Sequence, residues 1–164
     1  SYIIRKADIS DLDRLTEIYN QAIDAGYCTG DTKRFTREQR IPWFEQHKDN
    51  RYPIFVYEIE HEAIGYAYIS AYRKGRDAFS KIGEISYYVD FHYHGFGIAK
   101  KLITHTIQAA KELGYANLLA ILLGCNRESI SLLKRYNFEE WGVLPGIARL
   151  GDKCHSHLYY GIKL

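Results

Sequence analysis

A chain of 164 residues with 46% hydrophobic residues and a formal net charge of +2 is sized for a single domain, residues 1–164, with a real core. That charge is too small, and its Lys and Arg too interleaved with Asp and Glu, to mark a nucleic-acid binder, and no apolar run nears the roughly 20 residues that cross a bilayer. Cys28, Cys125 and Cys154 lack both CxxC spacing and the even count of a disulfide framework, and no charged stretch precedes an apolar one at Ser1 to Ala7, so a cytoplasmic location is expected.

Tyr2 to Arg5 reads as a strand. From Asp11, the residues Leu12, Leu15, Ile18, Tyr19, Ala22 and Ile23 recur at helical spacing, with Ser10 placed to cap the helix. Thr36 and Gln39 have capping-box spacing ahead of Ile41, Trp43 and Phe44, which predicts a second, short helix. Strands at Ile54 to Ile59 and Ala63 to Tyr72 are joined by a polar turn, Glu60, His61 and Glu62. Another strand runs from about Ile82 to Val89.

The helix from about Gly97 to Leu113 places Ile98, Leu102, Ile103, Ile107, Ala110 and Leu113 on one face, and Gly114 stands where a C-terminal cap belongs. Leu118 to Leu123 is an apolar run of strand length, expected in the sheet centre and buried on both faces. Asn126 opens a short helix containing Ile130, Leu132, Leu133 and Tyr136, and strands at about Trp141 to Leu150 and Ser156 to Ile162 close the chain. A mixed sheet with helices on both faces, an α/β (α+β) architecture, buries these surfaces.

Gly95 and Gly97 fall between a strand and the best helix. Backbone N–H groups from Gly95 to Ala99 would be unpaired there, and the absent side chains would let an anion approach the main chain, aided by the helix dipole. Such a glycine pair is also an ordinary turn. The GxxxxGKS/T loop and the GxGxxG fingerprint are both absent, which removes P-loop and dinucleotide-fold readings.

His94, Gly95, Phe96, Gly97, Ile98, Ala99 resembles the Q/RxxGxG/A pyrophosphate loop of the GCN5-related N-acetyltransferases (GNAT). Leu119 to Phe138, LAILLGCNRESISLLKRYNF, is similar to that superfamily's second cofactor segment. IYNQAI, RYPIFVYEIEHEAIGYAYISAYRKGRDAF and EISYYV extend the resemblance over nearly the whole chain, toward the phosphinothricin acetyltransferase-like branch. It implies a GNAT-type, mostly antiparallel mixed sheet flanked by helices on both faces, acetyl-CoA as co-substrate, no metal, a small amino-acid-like amine acceptor and a homodimer. Within it the cofactor contacts would be Val89, His94, Gly95, Phe96, Gly97, Ile98, Ala99, Lys100 and Asn126.

The same resemblance makes Glu84 the general base and the Val89 N–H the oxyanion donor. Tyr88 and His155 fall on the acceptor side. Arg73 and Arg76 suit a substrate carboxylate or form a plain charged loop, Lys100 suits a phosphate or a solvated helix face, and Asn126 suits the cofactor or a helix cap. Three positions depart from the pattern: His94 replaces Gln or Arg, Phe91 replaces proline, and Leu133 replaces a tyrosine that serves as acid for the leaving thiolate. Cys154 and His155 point to opposite faces of a strand, which argues against a metal reading of Cys154 to His157. A protein or peptide acetyltransferase and a non-catalytic acyl-CoA-binding module are the alternative functions.

Overall fold

The computed structural model describes residues 1–164. Its strands are β1 (Tyr2–Lys6), β2 (Ile54–Ile59), β3 (Glu62–Ala71), β4 (Ile82–Val89), β5 (Asn117–Leu123), β6 (Glu139–Leu150) and β7 (Lys153–Lys163). They form one sheet in the order β1-β2-β3-β4-β5-β7-β6, antiparallel except at the parallel pair β4 and β5. The helices are α1 (Leu12–Ala25), α2 (Arg37–Glu45), α3 (Ile98–Glu112) and α4 (Arg127–Arg135). No helix is long and apolar enough to cross a membrane.

The two helix pairs cover opposite faces of the sheet, as the burial pattern requires. Leu12, Leu15 and Ile18 of α1 and Phe44 of α2 pack on Ile54, Val56, Tyr66 and Tyr68. On the other face Ile98 and Leu102 of α3 meet Phe55, Ile64, Ala67 and Val89, and Leu133 of α4 joins Ile85, Leu118, Leu122 and Leu158. Each fully buried Leu or Ile contributes about 1.5–3 kcal/mol. β5 is central, with Leu118, Leu119, Ala120, Leu122 and Leu123 all buried.

Capping decides the helix ends. The Thr36 and Gln39 capping box is present at α2, with Gln39 N–H donating to Thr36 Oγ1 at 3.2 Å and Thr36 N–H to Gln39 Oε1 at 2.9 Å. At α3 the N–H of Tyr115 reaches Ala110 O at 3.0 Å and that of Gly114 reaches Lys111 O at 3.1 Å, with Gly114 at φ 87°. Ser10 does not cap α1. Its hydroxyl donates to Asp8 at 2.6 Å, and Asp8 caps a short 3-10 turn, Ile9–Asp11, that leads into the helix.

The β2–β3 turn is tighter than its sequence suggests. Glu60 and His61 sit at φ 49° and 67°, and Glu62 already pairs with Ile59 in β3. Two left-handed residues match the twist of a two-residue hairpin. Tyr72 lies beyond the end of β3, whereas β6 and β7 run longer than the apolar pattern, since their outer halves are ordered by ladder hydrogen bonds and not by burial.

Candidate active site

β4 and β5 pair from Ile82 opposite Asn117 to Glu84 opposite Leu119, and then part. β4 continues against β3 as far as Val89 opposite Gly65, and β5 continues against β7 as far as Leu123 opposite His157. Asp90 N–H donates to Ile64 O at 2.8 Å, which makes Gly65 and Val89 a non-hydrogen-bonded pair. Val89 therefore turns its own N–H and C=O away from β3 and into the gap. His94 Nε2 lies 3.0 Å from the Val89 carbonyl, which can only accept, so that nitrogen carries a proton and the carbonyl is satisfied. The Val89 N–H still faces the gap.

The loop leading from β4 to α3 is held by α1. Asp90, buried, accepts from Arg14 Nη2 at 2.5 Å and from His92 N–H at 2.8 Å, and Phe91 N–H donates to Gln21 Oε1 at 2.8 Å. Burial opposes ionisation of Asp90, but the Arg14 guanidinium and the His92 N–H overcome it and hold the carboxyl down to about 2. Gly95 and Gly97 take φ 89° and 78°, and no side chain caps the start of α3. Its first N–H groups are consequently open donors at a positive dipole end.

A cavity of about 590 Å³ occupies the gap between the strands and extends to this helix start. Tyr88, Val89, His94, Gly95, Gly97, Ile98, Ala99, Lys100 and Asn126, all candidate site residues, line it. Asn126 also caps α4, its side chain accepting from Ser129 N–H at 3.4 Å, so both roles read from the sequence are compatible at one position. Phe96 instead turns outward, its side chain 70% exposed and facing a second groove with Tyr57 and Tyr93.

Glu84 does not line the cavity wall. It stands on the α1–α2 face with Ser86 and Tyr88, in the last row where β4 and β5 still pair, beside Ser70 and Leu119. Burial pushes its carboxyl up to about 7. By strand alternation His155 lies on this same face, since β7 pairs His157 with Leu123 and Tyr159 with Ile121. Arg73 and Arg76 lie in the exposed loop between β3 and β4, away from the cavity lining, with Arg73 over the ring of Tyr72 at 5.3 Å.

Leu133 is 1% exposed, inside the main core cluster, so it is a packing residue and does not face the cavity. Tyr136 donates to Lys100 O at 2.6 Å and ties the end of α4 to the first turn of α3. Several cavity residues had no signal in the sequence, among them Tyr27, Cys28, Tyr87 and Tyr93. Cys28 follows α1 without any periodic pattern; burial pushes its thiol up to about 11, an unreactive state at neutral pH. Arg127 and Arg135 line the cavity as well, and Arg135 was legible in principle, because Glu128, Ser131, Leu132 and Arg135 recur at i, i+3, i+4 and i+7 on one face of α4. With Lys100 they put three cations against one carboxylate, Glu128, around the cavity, a balance that favours a phosphorylated ligand. No three His, Cys, Asp or Glu side chains converge as a metal site requires.

An uncapped helix start thus adjoins a gap between two parting parallel strands. Bacillus subtilis YwnH, assigned as a phosphinothricin acetyltransferase, is 36% identical over 98% of this chain and 98% of its own. The L-methionine sulfoximine/L-methionine sulfone acetyltransferase of Salmonella typhimurium is 29% identical over 88% of this chain and 84% of its own. The solved GNAT superfamily phosphinothricin acetyltransferase from Sinorhizobium meliloti, in complex with acetyl-CoA, superposes with a TM-score of 0.93 at 27% identity, covering 99% of this chain and 88% of that one. The sequence profile of the acetyltransferase (GNAT) family matches residues 13–138, and the chain belongs to that family.

Proposed function

We propose that residues 1–164 act as one domain that transfers the acetyl group of acetyl-CoA directly to the amino group of a small amino-acid-like acceptor, of the phosphinothricin or methionine sulfoximine type. The observation that carries this reading is the gap opening just past Glu84, with uncapped α3 at its outer end and a carboxyl raised to about 7 at its inner end. Similarity to the amino-acid-analogue acetyltransferases supports the acceptor class.

Bound acetyl-CoA supplies an activated thioester carbonyl. The open N–H groups of Gly97, Ile98 and Ala99 hold the pyrophosphate, and Lys100 adds charge. Glu84 takes the proton of the attacking amine, directly or through one water, and a carboxyl near 7 is matched to that task. The Val89 N–H donates to the carbonyl oxygen as it becomes negative. Tyr88 walls the acceptor side, and Arg73, Arg76 or His155 meets the acceptor carboxylate.

The test is thiol release from acetyl-CoA across amino acids, methionine sulfoximine, methionine sulfone, phosphinothricin, polyamines and short peptides. Turnover confined to small α-amino acids is the expected result. Turnover on peptides alone would replace the acceptor class, and cofactor binding without any turnover would leave a non-catalytic module.

The protein works as a homodimer in the reducing cytoplasm on this reading. β6 is an edge strand whose Trp141, Val143, Leu144 and Ile147 are all exposed, an apolar stripe on an unpaired edge that a second copy would cover. Ile147→Asp combined with Val143→Asp should convert a dimer to a monomer in sedimentation analysis. A wild-type chain that sediments as a monomer would remove the homodimer.

A further inference from the structure

Two of the three positions that depart from the resembling loops touch each other. The rings of Phe91 and His94 lie 4.2 Å apart between centroids at an interplanar angle of 31°, and both residues line the cavity. Gln21 of α1 holds Phe91 in place by accepting its main-chain N–H at 2.8 Å. The His94 ring is thus gripped on its face by Phe91 and on its edge by the Val89 carbonyl, 3.0 Å from Nε2. Because that carbonyl can only accept, Nε2 keeps its proton. Nδ1 has no hydrogen-bond partner in the protein and His94 is exposed, so Nδ1 is the nitrogen that gains and loses a proton.

The charges around the ring leave its state to a ligand. On its own loop, Asp90 is already paired with Arg14 of α1 at 2.5 Å and also accepts from the main chain and ring of His92. Across the cavity, α3 presents Lys100, and α4 presents Arg127, Arg135 and the one carboxylate, Glu128. Taken alone, this mostly positive lining works against a further cation. A coenzyme pyrophosphate at the open N–H groups of Gly97 to Ala99 would bring two negative charges beside His94 and reverse that balance. An opposite charge within about 4–6 Å moves a titrating group by about one to three pH units.

We propose that His94 is a proton-dependent phosphate ligand, whose Nδ1 takes up a proton as coenzyme A binds. This rests on the acetyl-transfer reading, which puts the pyrophosphate at α3. The Gln or Arg of the resembling loops cannot act in this way, since the first is always neutral and the second always charged. The sign follows from linkage. Protonation favours the bound form, so affinity is highest below the ordinary histidine range, near about 6.5, and falls as pH rises through it.

The probe is dephospho-coenzyme A, which keeps the pyrophosphate and lacks the 3′-phosphate, a group that itself titrates near about pH 6. Its calorimetric affinity for the wild type should fall by about fivefold to tenfold from pH 5.5 to pH 8, the result of about one pH unit of coupling. His94→Gln should bind as weakly at pH 5.5 as the wild type does at pH 8, and His94→Arg should keep the tighter affinity at both. Glu84, raised to about 7, and the ligand thiol titrate in all three proteins and cancel in the comparison. At pH 7, titrations in buffers of different ionisation enthalpy should show about half a proton more taken up by the wild type than by either variant. An equal pH dependence in wild type and His94→Gln overturns the proposal, and so does an equal proton uptake. A wild type that binds no dephospho-coenzyme A at any pH would overturn the acetyl-transfer reading along with it. Proton-linked binding without turnover on any acceptor would support His94 in this role and count against acetyl transfer alone.

Discussion

Glu84→Gln should lower turnover by about 10² to 10⁴ at neutral pH while acetyl-CoA affinity stays within a few-fold of wild type. The substitution keeps side-chain volume and removes only the capacity to take a proton. Because burial raises Glu84 to about 7, the base is largely protonated at pH 6 and ionised at pH 8. The rate on a fixed acceptor should thus climb through about pH 7, and Glu84→Gln should lack that limb. An undiminished rate in the variant would remove Glu84 from the mechanism.

Stability gives an independent check with a definite sign. A carboxyl whose folded-state pKa is raised favours the fold while it is neutral, below the ordinary value of 4.5, and loses that contribution as pH rises through about 7. The loss amounts to roughly 3 kcal/mol by linkage at about 1.4 kcal/mol for each pH unit. Glu84→Gln should accordingly be more stable than wild type at pH 8 in urea unfolding and close to it at pH 4. A variant that loses activity while gaining stability would separate the base role from any structural one.

Gly97→Val should weaken acetyl-CoA binding by about tenfold to a hundredfold, the value of one or two charge-assisted hydrogen bonds. Gly97 sits at φ 78°, and a Cβ built on it meets no protein atom within 4 Å. The added side chain would project into open space beside the unpaired N–H groups of α3, where a phosphate must approach. Strain also enters, since a β-branched residue in the left-handed region costs at least about 1–2 kcal/mol. Gly114→Val isolates that strain: Gly114 has φ 87° and equally open surroundings, but lies at the opposite end of α3. Calorimetry should show Gly114→Val binding normally despite a similar fall in Tm. Equal affinity in the two variants would mean that α3 does not receive the phosphates.

The glycine loop was legible because its cues are local. Two glycines, a strand before them and an apolar face repeating every three or four residues after them depend on neighbours in the chain; those cues alone left an ordinary turn open, and the resemblance to the family's loop singled out His94 to Lys100. The helix face of Glu128, Ser131, Leu132 and Arg135 carried the same kind of signal. Tyr27, Cys28 and Tyr87 did not: each reaches the cavity through the packing of segments distant in sequence. Ser10 misled for a related reason: Asp8 caps the 3-10 turn Ile9–Asp11, which puts Ser10 inside that turn and leaves Asp11 at the start of α1.

What the sequence by itself determined was the set of elements, the buried faces, the family and the glycine loop that opens α3, because periodicity, capping and motif spacing are properties of consecutive residues. Only the tertiary structure decided that β4 and β5 part after Glu84 and Leu119, that the Val89 N–H is the half of its residue left open once His94 takes the carbonyl, and that Leu133 is sealed in the core while Tyr87 faces the cavity. Those outcomes depend on strand register and on contacts made across the sheet, where a shift of one residue would reverse every side chain's face.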